Sequence, residues 1–333
     1  MRLIPRSRRV RRALAIAAIA LIVLVCVGAV YQAISVRRER AQFPPPGRFV
    51  GVGGRRLHVI CAGAGSPAVI FEPSMFGGSM SSRLAREEIA RHTRVCSYDR
   101  MGMGWSDGGP SVISIGLLAT DLERMLAGAG VPPPYVLVPS SIGGLTAELF
   151  ARRHPDQVAG LILLDAAQSD GLARLMSLTS GFQRTAASLA ACLQKPAASI
   201  GLLRVIDPWG FRARGDARAA ASLYRPEAMN TFCGMVRGLS ATVTEFASAP
   251  PLRPDVPLTV LSAETTDALL PAALASYRVP MVEERLPLAQ AFSRRSTRGQ
   301  WRVVPGSNHL IGNSQPQAVV DAVLEMLRQI RGS

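Results

Sequence analysis

Lysine is almost absent from this chain: Lys195 stands alone against 37 arginines. That bias carries no function by itself, but other scarcities exclude function classes. Four histidines and five cysteines occur in 333 residues. No Cys-X-X-Cys pair or His/Cys cluster has the spacing of a metal site, so no metal is expected. Aromatic residues make up 5% of the chain, and none is interleaved with a basic run. The net charge of +15 therefore needs locating before it is read as affinity for nucleic acid. Residues 1–40 hold nine arginines and Glu39, giving 9 − 1 = +8 and leaving +7 for the other 293 residues. The remainder is scattered, which describes a solvated surface, and no nucleic-acid partner is expected.

What the N-terminus does have is a long apolar run. Arg2, Arg6, Arg8, Arg9, Arg11 and Arg12 precede an uncharged stretch from 13 to about 34, and Arg37, Arg38 and Arg40 follow it. About twenty apolar residues at 1.5 Å each cross a hydrocarbon core of about 30 Å. The heavier positive flank comes first, so the N-terminus is expected in the cytoplasm, with the main domain on the periplasmic or extracellular side. The alternative is a secretory signal cut after Val27 and Ala29, which would release the domain. Cys26 lies in the run and Pro44-Pro45-Pro46-Gly47 reads as a stiff spacer beyond it. Cys61 and Cys96 fall in strand-like runs. Cys192 and Cys233 fall in a helical region, where a disulfide would suit an oxidising compartment although sequence cannot establish it.

From residue 49 onward short apolar runs alternate with helical patterns, the signature of a sheet flanked by helices. Strands are expected at 56–61, 68–72, 94–98, 135–138, 161–164, 258–262 and 301–304, several of them apolar on both faces as buried parallel strands are. A last helix is expected over 317–330, with Pro316 in its first turn. Residues 169–252 break the alternation: they are helical, lie between two strands, and read as an inserted cap. The expected organisation is a basic N-terminus (1–12), a transmembrane anchor (13–36), a linker (37–48), a core in two parts (49–168 and 253–333) and the cap (169–252).

The chemistry concentrates in one motif. Tyr135-Val136-Leu137-Val138 runs into Pro139-Ser140-Ser141-Ile142-Gly143-Gly144 and then into a helix. A strand, a sharp turn with serine at its apex and a following helix form a nucleophile elbow, which lifts the serine oxygen above the sheet. Ser141 takes the nucleophile position because Gly143 lies two residues later. The incomplete Gly102-Met103-Gly104 pattern is no dinucleotide loop.

With this motif, residues 57–168 resemble the α/β-hydrolase superfamily, particularly its bacterial membrane-anchored or exported members. The likeness extends through Cys61-Ala62-Gly63-Ala64-Gly65-Ser66-Pro67, through Tyr98-Asp99-Arg100-Met101-Gly102-Met103-Gly104-Trp105-Ser106-Asp107, through Leu161-Ile162-Leu163-Leu164-Asp165, and to Ser307-Asn308-His309. It implies a mostly parallel eight-stranded sheet flanked by helices, with the inserted cap and one preceding transmembrane helix. It further implies a serine hydrolase, carboxylesterase-like, acting on an ester, amide or thioester of a small substrate without a cofactor. Ser141 is then the nucleophile and His309, after the last strand, the base. His58, His92 and His154 read as structural or surface residues. The acid is expected at Asp165, which ends the sixth strand as in the haloalkane-dehalogenase branch. The alternative is Asp267 in the loop after the seventh strand, where the usual position falls on Thr266 and Glu264 comes two residues early. The oxyanion hole is expected from the backbone N–H groups of Ile142 and Met75. Asp99 and Arg100 are expected to brace the loops around the site.

Three departures from the resemblance matter: Pro139 and Ser140 replace a glycine and a common histidine, and Ser74 stands where glycine is usual. The competing readings are a catalytically weak or inactive binding or scaffold module at the membrane, and a cofactor-free perhydrolase using the same triad. Leu172, Leu175, Met176 and Leu178 hint at an apolar substrate, although core packing explains them equally well. Oligomeric state is not legible.

Overall fold

The computed structural model describes residues 8–213, 215–266 and 283–332. Eight strands alternate with helices along the chain: β1 Arg48–Gly51, β2 Arg56–Ala62, β3 Ala68–Glu72, β4 Val95–Tyr98, β5 Tyr135–Pro139, β6 Val158–Leu164, β7 Leu258–Ala263 and β8 Gly299–Val304. They form one sheet in the order β1-β2-β4-β3-β5-β6-β7-β8. β1 and β2 are antiparallel to their neighbours and the remaining pairs are parallel. The seven expected strands are present, and β1 is the one the sequence left unplaced; at four residues its pattern is too short to register.

Both faces of the sheet are buried, and the strand period of two divides its side chains cleanly. Ile70, Leu137, Leu161 and Val260 face one core with α3 (Ile115–Gly128), α4 (Gly143–Arg153) and α11 (Arg285–Ser293). Val69, Val136, Ile162 and Leu261 face the other, closed by α2 (Arg83–Ile89) and α13 (Pro316–Arg331). This explains why the strands read as continuous apolar runs.

Between β6 and β7 lie α5 (Ser169–Leu178), α6 (Gly181–Ser199), α7 (Leu202–Ile206), α8 (Ala217–Leu223), α9 (Pro226–Arg237) and α10 (Leu239–Ser248). Leu203, Leu223, Tyr224 and Met229 form a small core of their own there, while Phe246 of α10 joins the main one. Leu172 and Met176 of α5 also pack on the main core, which is the packing reading of those residues. Two disulfides are present, Cys192–Cys233 joining α6 to α9 and Cys61–Cys96. The second pair was open in the sequence because it depends on register: Cys61 and Cys96 are direct partners in the antiparallel β2–β4 ladder.

The first helix, α1, runs from Arg8 to Gln42, longer than the expected anchor and continuing into the first half of the region read as linker. Among the described residues it is the one helix long and apolar enough to cross a membrane. Its first part is fully exposed, but from Gly28 onward Gly28, Gln32, Ser35, Val36 and Glu39 turn toward the folded domain at helical spacing.

Candidate active site

The elbow starts from a proline that the strand accommodates. Pro139 ends β5 opposite Glu72 of β3, and the next residue continues that ladder through Ser140 N–H to the Glu72 carbonyl at 3.1 Å. Successive N–H groups of a strand point to opposite sides, so the proline nitrogen falls on the β6 side. There the regular ladder already stops at Leu137–Leu161 and returns only as a bridge between Ser140 and Leu164. Proline thus occupies a gap in the pairing, the position where a missing donor costs least.

Ser141 follows with φ of 54°. A left-handed serine is strained, and strain of this kind persists where surrounding bonds over-determine it. Here they do: Ser141 N–H donates to Leu164 O at 3.3 Å, and Ser141 O accepts from Gly144 N at 3.0 Å and Ala167 N at 2.8 Å. The two glycines are sterically required. A Cβ on Gly143 would lie 2.6 Å from Pro73 O, and one on Gly144 would lie 2.2 Å from Ala167 O. The start of α4 is therefore wedged between the loop after β3 and the loop after β6. The positive dipole end of α4 faces the serine.

Asp165 directly follows β6 beside this turn, also left-handed, at φ of 43°. Its carboxylate is fully used. Oδ2 meets His309 Nδ1 at 2.7 Å, and Oδ1 accepts from Ala263 N at 3.1 Å and Arg285 Nη1 at 3.0 Å. The Asp165 side chain is 7% exposed and that of His309 16%, so the pair is largely shielded from water while the imidazole retains an open side. With Nδ1 donating to a carboxylate, the neutral ring leaves Nε2 as an acceptor. His309 is held in its loop by Asn308, whose side chain accepts from Leu310 N at 3.0 Å and whose N–H donates to Ser314 Oγ at 3.2 Å.

The other carboxylates near β7 are placed differently. Glu264 accepts from Gly306 N at 2.7 Å, joining the loops after β7 and β8. Asp267 lies outside the described residues. Arg285, eighteen residues beyond Asp267, is the neighbour of Asp165 that sequence reasoning missed, and no local pattern marks it.

The loop after β3 carries Met75. Arg100, buried, spans it from below, donating to Ser74 O at 3.0 Å, Pro73 O at 2.7 Å and Glu72 Oε1 at 2.9 Å. Glu72 also accepts from the Tyr98 hydroxyl. Burial pushes the Glu72 carboxyl up from its ordinary value, and the Arg100 charge opposes that rise. Ser74 is accommodated without a left-handed backbone, so the usual glycine is dispensable there. The Phe76 ring packs at a tilt, 5.3 Å from Trp209 and 5.5 Å from Phe232, so the loop also touches the helical insertion. Asp99 braces the adjoining loop: it accepts from Ser79 N at 2.6 Å, Trp105 N at 3.1 Å and His58 Nδ1 at 2.9 Å. His58 is wholly buried in that cluster, whereas His92 and His154 lie toward the surface beside Glu88 and Glu123.

Comparison with known proteins follows this geometry. Over 78 residues the chain is 49% identical to an uncharacterised protein of Schizosaccharomyces pombe, covering 23% of this chain and 15% of that one. Over 153 residues it is 27% identical to the uncharacterised protein YbdG of Bacillus subtilis, covering 44% and 46%. Over 125 residues it is 34% identical to the putative carbamate hydrolase RutD of Azorhizobium caulinodans, covering 37% and 46%. The chain thus spans less than half the length of these curated relatives. Among solved structures, a thermophilic esterase from Thermogutta terrifontis matches with a TM-score of 0.58 at 22% identity, over 85% of this chain and 98% of that one. A putative alpha/beta hydrolase from Nostoc matches with a TM-score of 0.63 at 16% identity, over 84% and 97%. These likenesses concern the fold. The model of the alpha/beta hydrolase family matches residues 57–322, four-fifths of the sequence, and the chain belongs to that family.

Proposed function

We propose that this protein is a membrane-anchored serine hydrolase, carboxylesterase-like, that cleaves an ester, amide or thioester bond of a small apolar substrate. The observation that carries the proposal is the contact between His309 Nδ1 and Asp165 Oδ2, 2.7 Å, on the strand end next to the strained Ser141 elbow. An imidazole oriented by a carboxylate beside a serine on a sharp turn is the arrangement that activates a hydroxyl. In this reading His309 Nε2 takes the Ser141 proton as Oγ attacks the carbonyl carbon. The oxyanion is held by the N–H groups of Ile142 and Met75, and the proton then passes to the leaving group. Water, activated by the same imidazole, resolves the acyl-enzyme and returns Ser141. Residues 49–168 and 253–333 form the catalytic core, residues 169–252 the cap, and α1 the anchor, with the N-terminus cytoplasmic.

The test is labelling of the detergent-solubilised full chain with a fluorophosphonate probe. Wild type is expected to label. Ser141→Ala is expected to lose all labelling, and His309→Ala to lose it by about three orders of magnitude or more in rate. A folded wild type that does not label would refute the serine mechanism and leave a binding module on a hydrolase fold.

A further inference from the structure

The anchor and the cap are joined, and the joint has a depth. Gly28 of α1 meets the turn between α6 and α7: a Cβ added there would lie 2.4 Å from Ile200 O. Gly201 on the facing side is equally close, its added Cβ falling 2.7 Å from the Tyr31 ring. A few residues on, Gln32 is buried, donating to Tyr224 O at 2.9 Å and accepting from Arg204 Nε at 2.6 Å. Arg204, 3% exposed, also pairs with Glu39. A buried polar network of this kind fixes α1 rigidly on the insertion.

Arg37 and Arg38 are the first charges after the apolar run and belong at headgroup level. Gly28 lies nine residues earlier, about 13 Å deeper along a helix. Residues 13–28 alone would reach only about 24 Å, short of a hydrocarbon core of about 30 Å. For α1 to span, the turn docked on Gly28 must therefore sit below the headgroups.

The surface at that turn has matching chemistry. On α6, Phe182, Leu189 and Leu193 are 82%, 61% and 58% exposed and recur on one face. On α7, Leu202, Val205 and Ile206 are 43%, 73% and 56% exposed. The charged side chains of this stretch are mostly withdrawn from that face: Arg204 is buried and the Arg184 guanidinium bonds to the carbonyls of Met176 and Thr179. Lys195, exposed, bonds to Asn230 of α9. Exposed apolar side chains gathered on neighbouring helices of a folded domain mark an interaction site.

We infer that the α6–α7 face of the cap is a bilayer-inserted surface, occupied by lipid acyl chains of the leaflet on the domain's side of the membrane. This rests on α1 being a membrane anchor. It adds that the cap is embedded beside it, as an interfacial helix pair, rather than suspended above the membrane by a linker. Trp209, three residues past α7, is the ring that packs against Phe76 next to Met75, so the inserted face lies one aromatic contact from the candidate oxyanion loop.

The experiment uses the full chain in phosphatidylcholine nanodiscs, with a bimane label and lipids brominated on their acyl chains. Native Cys26, exposed and free, labels α1 itself. In a Cys26→Ser background, Leu189→Cys and Val205→Cys report the cap. Asp156→Cys, on an exposed turn at the opposite end of the sheet from Ser141, is the aqueous control. The expected result is loss of fluorescence at Cys26, 189 and 205 and none at 156. Quenching at Cys26 with full fluorescence at 189 and 205 would keep the anchor and overturn the insertion. A blue-shifted emission at 189 and 205 would then assign the face to a second copy, and an unshifted one to water. No quenching at any position would overturn anchor and insertion together.

Discussion

Asp165 serves two partners of opposite consequence. In the proposed mechanism His309 needs its charge to hold the tautomer and to stabilise the imidazolium, while Arg285 on the other oxygen draws on the same charge. Asp165→Asn is expected to leave the fold intact and to lower kcat for p-nitrophenyl acetate on the order of 10⁴-fold, with little change in KM. Arg285→Met is expected to cost less than about tenfold, because Ala263 N–H still holds Oδ1. Equal losses in the two variants would make Arg285 part of the catalytic apparatus. Farther out, the hydrogen bond from the Arg56 side chain holds the Asp107 carboxyl below its ordinary value. A depressed carboxylate stabilises the fold above the unfolded value of about 4 and loses that contribution as pH falls through the folded value. Asp107→Asn is therefore expected to lower the neutral plateau of urea midpoint against pH slightly and to flatten its acid limb, with the most acidic values nearly unchanged. An unaltered limb would show the exposed pair to be screened.

At the scale of elements, the β5–α4 elbow is a close-packing problem before it is a catalytic one. Gly144 faces Ala167 O and the Ala166 side chain, both on the segment that carries Asp165. Gly144→Ala is expected to destabilise the protein by about 1–3 kcal/mol in urea unfolding, since the helix must move off the strand end. Gly51→Ala in β1, where an added Cβ meets nothing within 4 Å, is the matched control and is expected to be near neutral. Comparable losses in both would remove the packing argument. This local density also explains what could be read in the sequence. Ser141, Ile142, Asp165 and His309 sit at strand ends, where the pattern changes over two or three residues. The Cys61–Cys96 disulfide depends on strand register, and Arg285 on a helix that begins 22 residues past the end of β7. Neither leaves a local trace. The docking of Gln32 on Arg204 joins positions 172 residues apart, and a glutamine within an apolar run was its sole signal.

For the whole molecule, anchor, disulfides and arginine distribution constrain one another. Six arginines precede the apolar run, whereas Arg37, Arg38 and Arg40 after it are offset by Glu39, so the proposed topology retains the N-terminal flank in the cytoplasm. In that topology the folded domain would lie across the membrane, in a compartment where Cys61–Cys96 and Cys192–Cys233 are stable. The docking of Gln32 and Glu39 onto Arg204 gives α1 a structural role beyond the membrane, which a cleaved signal would not have. A C-terminal alkaline phosphatase fusion expressed in a bacterial host is therefore expected to be active and a green fluorescent protein fusion dark. Both should remain with the membrane fraction at the full-length mass. The opposite pair of signals would place the disulfides in a reducing compartment, and then the topology and the oxidised cysteines could not both stand. An active phosphatase released at a mass shortened by about thirty residues would instead assign α1 to a cleaved signal. In that case the apolar α6–α7 face would lose the helix that sets its depth.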